Sequence, residues 1–183
     1  MGQNIKTPVG ILSFANLFEP RAAVPGGDER FSTNLVFDQA AQDTPEYKAL
    51  VAAIAAEAKE FFGGKVPTGI RNPIRDASEK DYTGYGPGKT YISAWTKTRP
   101  GIVGPNPTCE EIVEADRVFA GQRARLVVRA FGYNNSGNKG IALSLQHVQI
   151  TKFDMPRLDG RKSARDEFAD GFSEEKELED SPF

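Results

Sequence analysis

Residues Arg123 to Phe153 read RARLVVRAFGYNNSGNKGIALSLQHVQITKF. The even positions Ala124, Leu126, Val128 and Ala130 are apolar, while the odd positions Arg123, Arg125, Val127, Arg129, Phe131 and Tyr133 are basic or aromatic save one valine. Alternate side chains of a strand point to opposite faces, so this is one strand with a core side and a basic-aromatic side. Asn134-Asn135-Ser136-Gly137-Asn138 is rich in residues that tolerate positive φ and predicts a hairpin turn. The return strand runs from Lys139 to Phe153. Its apolar positions change phase, from odd at Ile141, Leu143 and Leu145 to even at Val148 and Ile150, which predicts a one-residue bulge near Gln146 or His147.

Working outward, Thr90 to Arg99 (TYISAWTKTR) repeats the pattern. Tyr91, Ser93, Trp95, Lys97 and Arg99 share one side, with Ile92, Ala94, Thr96 and Thr98 on the other. Two strands thus place cations and aromatic rings opposite a small, apolar face. Val9 to Phe18 (VGILSFANLF) is apolar at nearly every position and reads as a strand buried on both faces. Pro20 to Glu29 reads as a turn or loop, and Phe31 to Phe37 alternates as a second strand, completing an antiparallel hairpin. Thr44 can cap a helix and Pro45 fits its first position, and apolar residues recur at helical spacing from Tyr47 to Phe62 before Gly63-Gly64 ends it. That helix is expected to plug the bottom or side of a sheet.

Lys65 to Lys89 is a long polar connection, Pro100 to Pro107 a Gly/Pro-rich loop, and Cys109 to Ala115 a short turn or helical piece. Gly84 to Thr90 mimics a phosphate-binding loop but is one residue short, and it precedes a strand where a helix would be needed to face phosphates. The body ends near Pro156. About five strands, one helix inserted between them and long loops predict a mainly β chain. The expected form is an OB-fold, a five-stranded, partly open antiparallel barrel. The expected division is an OB-fold domain over 1–156, then a basic linker and disordered acidic tail over 157–183.

The last eighteen residues, DEFADGFSEEKELEDSPF, hold eight acids against one lysine, a formal −7 of the whole chain's −2, which leaves +5 on residues 1–165. Like charges so crowded cannot pack a core, so the tail is expected to be solvated and disordered. At its end Glu179, Asp180, Ser181, Pro182 and Phe183 set a ring beside a terminal carboxylate. That combination suits capture by a pocket with an apolar floor and a basic rim.

The composition narrows the chemistry. A single cysteine, Cys109, permits no internal disulfide and fits a reducing cytoplasm. With one histidine, His147, a Cys/His zinc site is out of reach within one chain. No run of about 18 apolar residues exists for a membrane helix, and Met1 to Pro8 lacks the apolar core of a signal peptide. No catalytic residue, metal ligand or cofactor site is expected.

Cations beside exposed rings are what single-stranded nucleic acid requires, since cations track phosphates and rings stack unpaired bases. The run from Arg129 to Gln149 resembles the signature hairpin of a bacteriophage family of OB-fold single-stranded-DNA-binding proteins. Ile92 to Pro100 resembles the same family's preceding strand, and Arg157 to Phe168 its linker into the tail. The tip Glu179 to Phe183 is similar to the acidic end of bacterial single-strand-binding proteins, which recruits replication and repair enzymes. The resemblance implies a replication or recombination role in the cytoplasm of an infected bacterium.

From strand parity, Tyr91, Trp95, Phe131 and Tyr133 are expected to stack bases. Lys97, Arg99, Arg125, Arg129 and Lys139 are expected to hold phosphates, with Arg71, Arg75 and Lys89 on a loop closing over the strand. The expected partners are single-stranded DNA, replication or recombination proteins at the tail, and further copies of the chain, by homo-oligomerisation or cooperative self-association on DNA. Two alternatives stand beside this: an RNA-binding OB protein, and a metal-dependent nuclease using Asp76, Glu79 and Asp81.

Overall fold

The computed structural model describes residues 2–161 and 167–168; the expectations for the acidic tail, residues 167–168 apart, and for residues 162–165 of its linker lie outside them. The strands are β1 (Asn4–Lys6), β2 (Gly10–Ala22), β3 (Glu29–Phe37), β4 (Ile74–Asp76), β5 (Thr90–Thr96), β6 (Gly101–Val103), β7 (Arg123–Asn135) and β8 (Asn138–Lys152). The helices are α1 (Gln39–Gln42) and α2 (Pro45–Phe61), with a single 3-10 turn at Ala115–Arg117.

Five long strands close on themselves in the order β7-β2-β3-β5-β8, with β8 returning to β7. Every contact on that path is antiparallel except β5 against β8, which is parallel. This is the OB arrangement. The barrel is thin at two seams: β2 meets β7 through Gly10–Ala124 and Ile11–Arg123, and β5 meets β8 through Ala94–Leu143 and Trp95–Ser144. The expectation of a partly open barrel is met there. The alternation read from sequence is met as well. Ala124, Leu126, Val128, Ala130, Ile92, Ala94, Leu143 and Leu145 all point into one core with Leu12, Leu35 and Phe37.

The hairpin turn is Ser136-Gly137, both at positive φ (52° and 88°), the backbone that a two-residue connection between twisted strands needs. Val127 faces His147 while Val128 faces Leu145, so Gln146 is the extra residue of the bulge that the phase change predicted.

Helix α2 begins where the sequence places it. The Thr44 hydroxyl accepts the Tyr47 N–H at 3.2 Å, and Pro45 occupies the first turn. Leu50, Ile54 and Ala58, spaced by four, are the buried positions and plug the barrel beside β7. Phe61 continues that side and covers Gly132, where an added Cβ would stand 2.1 Å from the ring.

Several boundaries differ from the sequence reading: β1 was not foreseen, β3 starts at Glu29 and β5 ends at Thr96. Strand β2 runs on through Pro20 to Ala22, so the turn to β3 is only residues 23–28. The Pro at position 20 is compatible because the register is already irregular between Asn16 and Arg21. The 65–89 connection contributes β4 to the edge of β5, and the 100–107 loop contributes β6 to β8. One expected helix is two, because Asp38 accepts the Ala41 N–H and caps the short α1. Among the described residues no helix is long and apolar enough to cross a membrane.

The Gly132 contact gives a stability test. Gly132→Ala forces Phe61 off β7 and should cost about 1–3 kcal/mol, read as a lower urea midpoint at unchanged slope.

Candidate nucleic-acid interface

With the even side of β7 and β5 committed to the core, their odd side is the barrel exterior, and register decides which exterior residues meet. Trp95 sits between Ser32 of β3 and Ser144 of β8. Arg129 lies on the far side of Ser144, and Phe131 lies opposite Ala142. Because Ala142 and Ser144 are small, nothing stands between Trp95 and Phe131. Their ring centroids are 6.0 Å apart with planes at 85°, an edge-to-face pair that holds both rings in place.

Arg30, at the start of β3, lays its guanidinium carbon 3.9 Å from the Trp95 ring centroid. This cation–π contact puts a charge on the exposed side of the ring, at a distance a stacked base would occupy. Sequence reading missed Arg30 because the strand was started two residues late, at Phe31 instead of Glu29. Arg129 is oriented from the other flank, both its Nε and Nη2 donating to the Asn4 side-chain oxygen at 3.1 and 2.8 Å. Tyr133 follows on the same strand face. Its hydroxyl reaches over Gly140, where a Cβ would be 2.8 Å from it and 2.7 Å from the Arg71 carbonyl oxygen. Arg71 is drawn to this corner by its backbone: its N–H donates to the Lys139 carbonyl and its carbonyl accepts the Ile141 N–H.

The remaining predicted residues are distributed differently. Tyr91 has the right parity but is only 4% exposed. The returning 77–89 segment lays Tyr85 against it, ring centroids 5.2 Å apart, and buries both with Val36 and Ala77. It is packing, not an open platform. Arg75 stands beside Tyr91 on β4 and is exposed. Lys89 donates its Nζ to the Gly84 carbonyl at 3.0 Å and so braces the loop. Lys97 lies past the end of β5, 3.7 Å from Asp28 of the β2–β3 turn. Arg99 turns its guanidinium over Phe18 at 5.2 Å.

Arg125 is outward but toward the other end of β7, its Nε donating to Gln149 Oε1 at 2.6 Å. It lines a separate cleft with Lys6, Asn106, Cys109 and His147. Lys139 pairs with Asn134 and therefore has the parity of Ile141, opposite to Phe131 and Tyr133.

Of the proposed nuclease carboxylates, Asp76 is engaged in a local turn. It accepts from the Ser78 hydroxyl and the Ser78 N–H, and these two donors hold its carboxyl below the usual range. Among the described residues no group of three His, Cys, Asp or Glu is placed to hold a metal ion.

What remains is a continuous outer strip across β3, β5, β8 and β7, carrying Arg30, Trp95, Phe131 and Arg129 and bounded by the hairpin corner with Tyr133. Between Trp95 and the Tyr85 cluster the strip is polar. Asn34 donates to the Tyr85 hydroxyl at 2.9 Å and accepts from the Ser93 hydroxyl at 2.6 Å.

Residues 3–180 match a family model described as the ssDNA-binding protein of Enterobacter phage Enc34. Among solved structures, the single-stranded-DNA-binding protein of bacteriophage Enc34 in complex with ssDNA superposes with a TM-score of 0.68 at 24% identity, over 81% of this chain and 86% of that one. A second solved structure of the bacteriophage Enc34 single-stranded-DNA-binding protein superposes with a TM-score of 0.68 at 22% identity, over 90% of this chain and 89% of that one. The gp2.5 single-stranded-DNA-binding protein of bacteriophage T7 gives 0.57 at 14% identity, over 95% and 97%. No curated protein sequence matches.

The Arg30 contact is open to a direct check. Arg30→Ala should uncover Trp95, read as a higher acrylamide quenching constant for the single tryptophan in the absence of any ligand.

Proposed function

The chain belongs to the family of the single-stranded-DNA-binding protein of Enterobacter phage Enc34, and from that membership we propose that it coats and protects single-stranded DNA in phage replication and recombination. The observation that carries the reading is the strip itself, where Trp95 and Phe131 are braced edge to face between Arg30 and Arg129. A stacked base on such a ring is worth roughly 1–3 kcal/mol, and each cation that meets a phosphate adds a salt-dependent increment.

Arg30 has two roles in this scheme. Without DNA its guanidinium covers Trp95; when a base takes that place, the released charge is beside the incoming phosphate. Arg129 is aimed by Asn4 and need not reorganise. Tyr133 extends the stacking surface toward the hairpin, and Arg71 and Arg75 supply charge along its edge. Lys97 and Arg99 form an outer basic margin near the β2–β3 turn. Nothing in the strip forms a matched set of donors and acceptors for one base edge, so binding is largely indifferent to sequence. No chemical step is assigned, and the site of action is the host cytoplasm during infection.

The tail completes the proposal. At −7 against a body of +5, residues 166–183 compete with DNA for the basic strip at low salt. When DNA displaces them, Glu179 to Phe183 become available to replication or recombination proteins, with Phe183 as the anchor.

Titration with oligo-dT should quench Trp95, and log affinity should fall linearly with log salt. Arg129→Ala should flatten that slope by about 0.7, the value for one phosphate on a single strand. Binding without any Trp95 response would place the DNA elsewhere on the barrel. An RNA oligomer that outcompetes DNA would favour the RNA-binding alternative. Deleting 166–183 should tighten binding at low salt and have little effect at high salt; equal affinity of both forms at low salt would remove the competition from the scheme.

A further inference from the structure

Strand β2 is interrupted at Phe14. Its backbone is left-handed, φ +47°, a conformation that a bulky residue adopts only when its surroundings force it. The cause is a bulge: Ser13 pairs with Asn34 but the next partnered residue, Asn16, meets Ser32. The strain is not spent on burial, because Phe14 remains 50% exposed. Its ring meets Tyr82, also 50% exposed, edge to face at a centroid distance of 5.0 Å.

Tyr82 is itself held firmly. It packs on Tyr85 at 5.3 Å, and the Tyr85 hydroxyl is fixed between Ser13 at 3.1 Å and Asn34 at 2.9 Å. Two half-exposed rings, one on a strained backbone and one on a braced loop, line a cavity of about 360 Å³ with Ala120 and Leu158 across it. Asp81 and Asp159 stand at its margin. Asp159 keeps its charge because the Arg161 N–H donates to it at 3.0 Å, and it pairs with the Arg157 guanidinium at 3.4 Å, so that cation is already engaged while Asp81 leaves the margin negative. The cavity therefore suits a flat, uncharged, aromatic group.

We infer that Phe14 and Tyr82 form a second base-stacking subsite, distinct from Trp95 and Phe131, which takes a nucleobase of the same DNA strand while its phosphates stay outside. The inference rests on the single-stranded-DNA reading above. The two ring sets are joined by the hydrogen-bonded Asn34 and Ser93, so a strand crossing from β7 over β8, β5 and β3 arrives at β2 on the same outer face. Strained backbone concentrates where a side chain must be presented in a particular way, and here it lifts an aromatic ring out of a strand whose Leu12 and Leu17 are turned into the core.

The test uses the full chain and fluorescently labelled oligo-dT of increasing length. Phe14→Gly removes the ring and also relieves the strain, since glycine adopts positive φ freely. Its melting temperature should hold or rise while affinity for long oligo-dT falls about five- to tenfold. Tyr82→Ala should weaken binding by a similar factor and Tyr82→Phe should restore it. In each variant the salt slope should stay that of the wild type, because no phosphate contact is lost. Oligomers too short to span both ring sets should bind the wild type and Phe14→Gly alike. Equal affinity of wild type and both ring-deleted variants for long oligomers, with Trp95 still quenched, overturns the subsite and leaves the parent reading intact. A wild type that neither binds oligo-dT nor changes its Trp95 emission removes both.

Discussion

The parallel seam between β5 and β8 is the contact on which the rest of the surface depends. It is two residue pairs long, Ala94–Leu143 and Trp95–Ser144. The antiparallel hairpin β7–β8 would form from local sequence alone, and so would β2–β3. Only the seam brings the basic-aromatic side of β5 next to that of β7. It fixes register to the residue, because a slip of one position would send Ala94 and Leu143 outward and Trp95 into a core that has no partner for its N–H. Ridding the core of that misfit is what holds Trp95 on the outside, beside Ser144, with Phe131 across it.

This explains which parts of the sequence were readable. Faces are local: alternation along β7 and β5 gave the inward residues correctly, and the change of phase in β8 located the bulge at Gln146. The cap at Thr44 and the Ser136-Gly137 turn were equally local, since each depends on side chains or glycine within a few residues. Coverage is not local. Tyr91 has the same parity as Trp95, yet the 77–89 segment returns from far along the chain to bury it under Tyr85. Lys139 was grouped with Phe131 by proximity in sequence, whereas the two-residue turn sets it opposite Asn134 and on the other face. Phe14 was hidden for a third reason. An apolar run such as VGILSFANLF carries no mark of a positive-φ residue, so nothing distinguished the one ring that the bulge expels. Arg30 was lost to a strand boundary, the least determined feature of any sequence reading.

The exterior of β8 is where the sequence yields most to the needs of a surface. Its outward positions between Asn138 at the turn and the bulge are Gly140, Ala142 and Ser144, the smallest side chains available. Larger residues there would raise β strand stability by cross-strand packing with Phe131 and Trp95. They would also fill the space between the rings and separate them. Gly140 is more constrained still, since Arg71 and Tyr133 both close on the place a Cβ would occupy. A strand that forgoes packing on its outer face, between two strands that carry rings and charges, is a floor with raised sides.

Such a floor also bears on the recognition proposed for the strip. Hydrogen-bonding groups on it are already occupied by one another: Asn34 with Tyr85 and Ser93, Asn4 with Arg129, Gln146 with Ser144. A base edge arriving there would have to break a protein hydrogen bond to make its own, for little net gain. Its ring face meets weaker competition, because what lies on the Trp95 ring is the cation–π contact of Arg30 and not a hydrogen bond. On the proposed reading, such a surface discriminates between stacked and unstacked bases far more than between one base and another, since in duplex DNA the base faces that Trp95 and Phe131 would stack on are already used by neighbouring pairs.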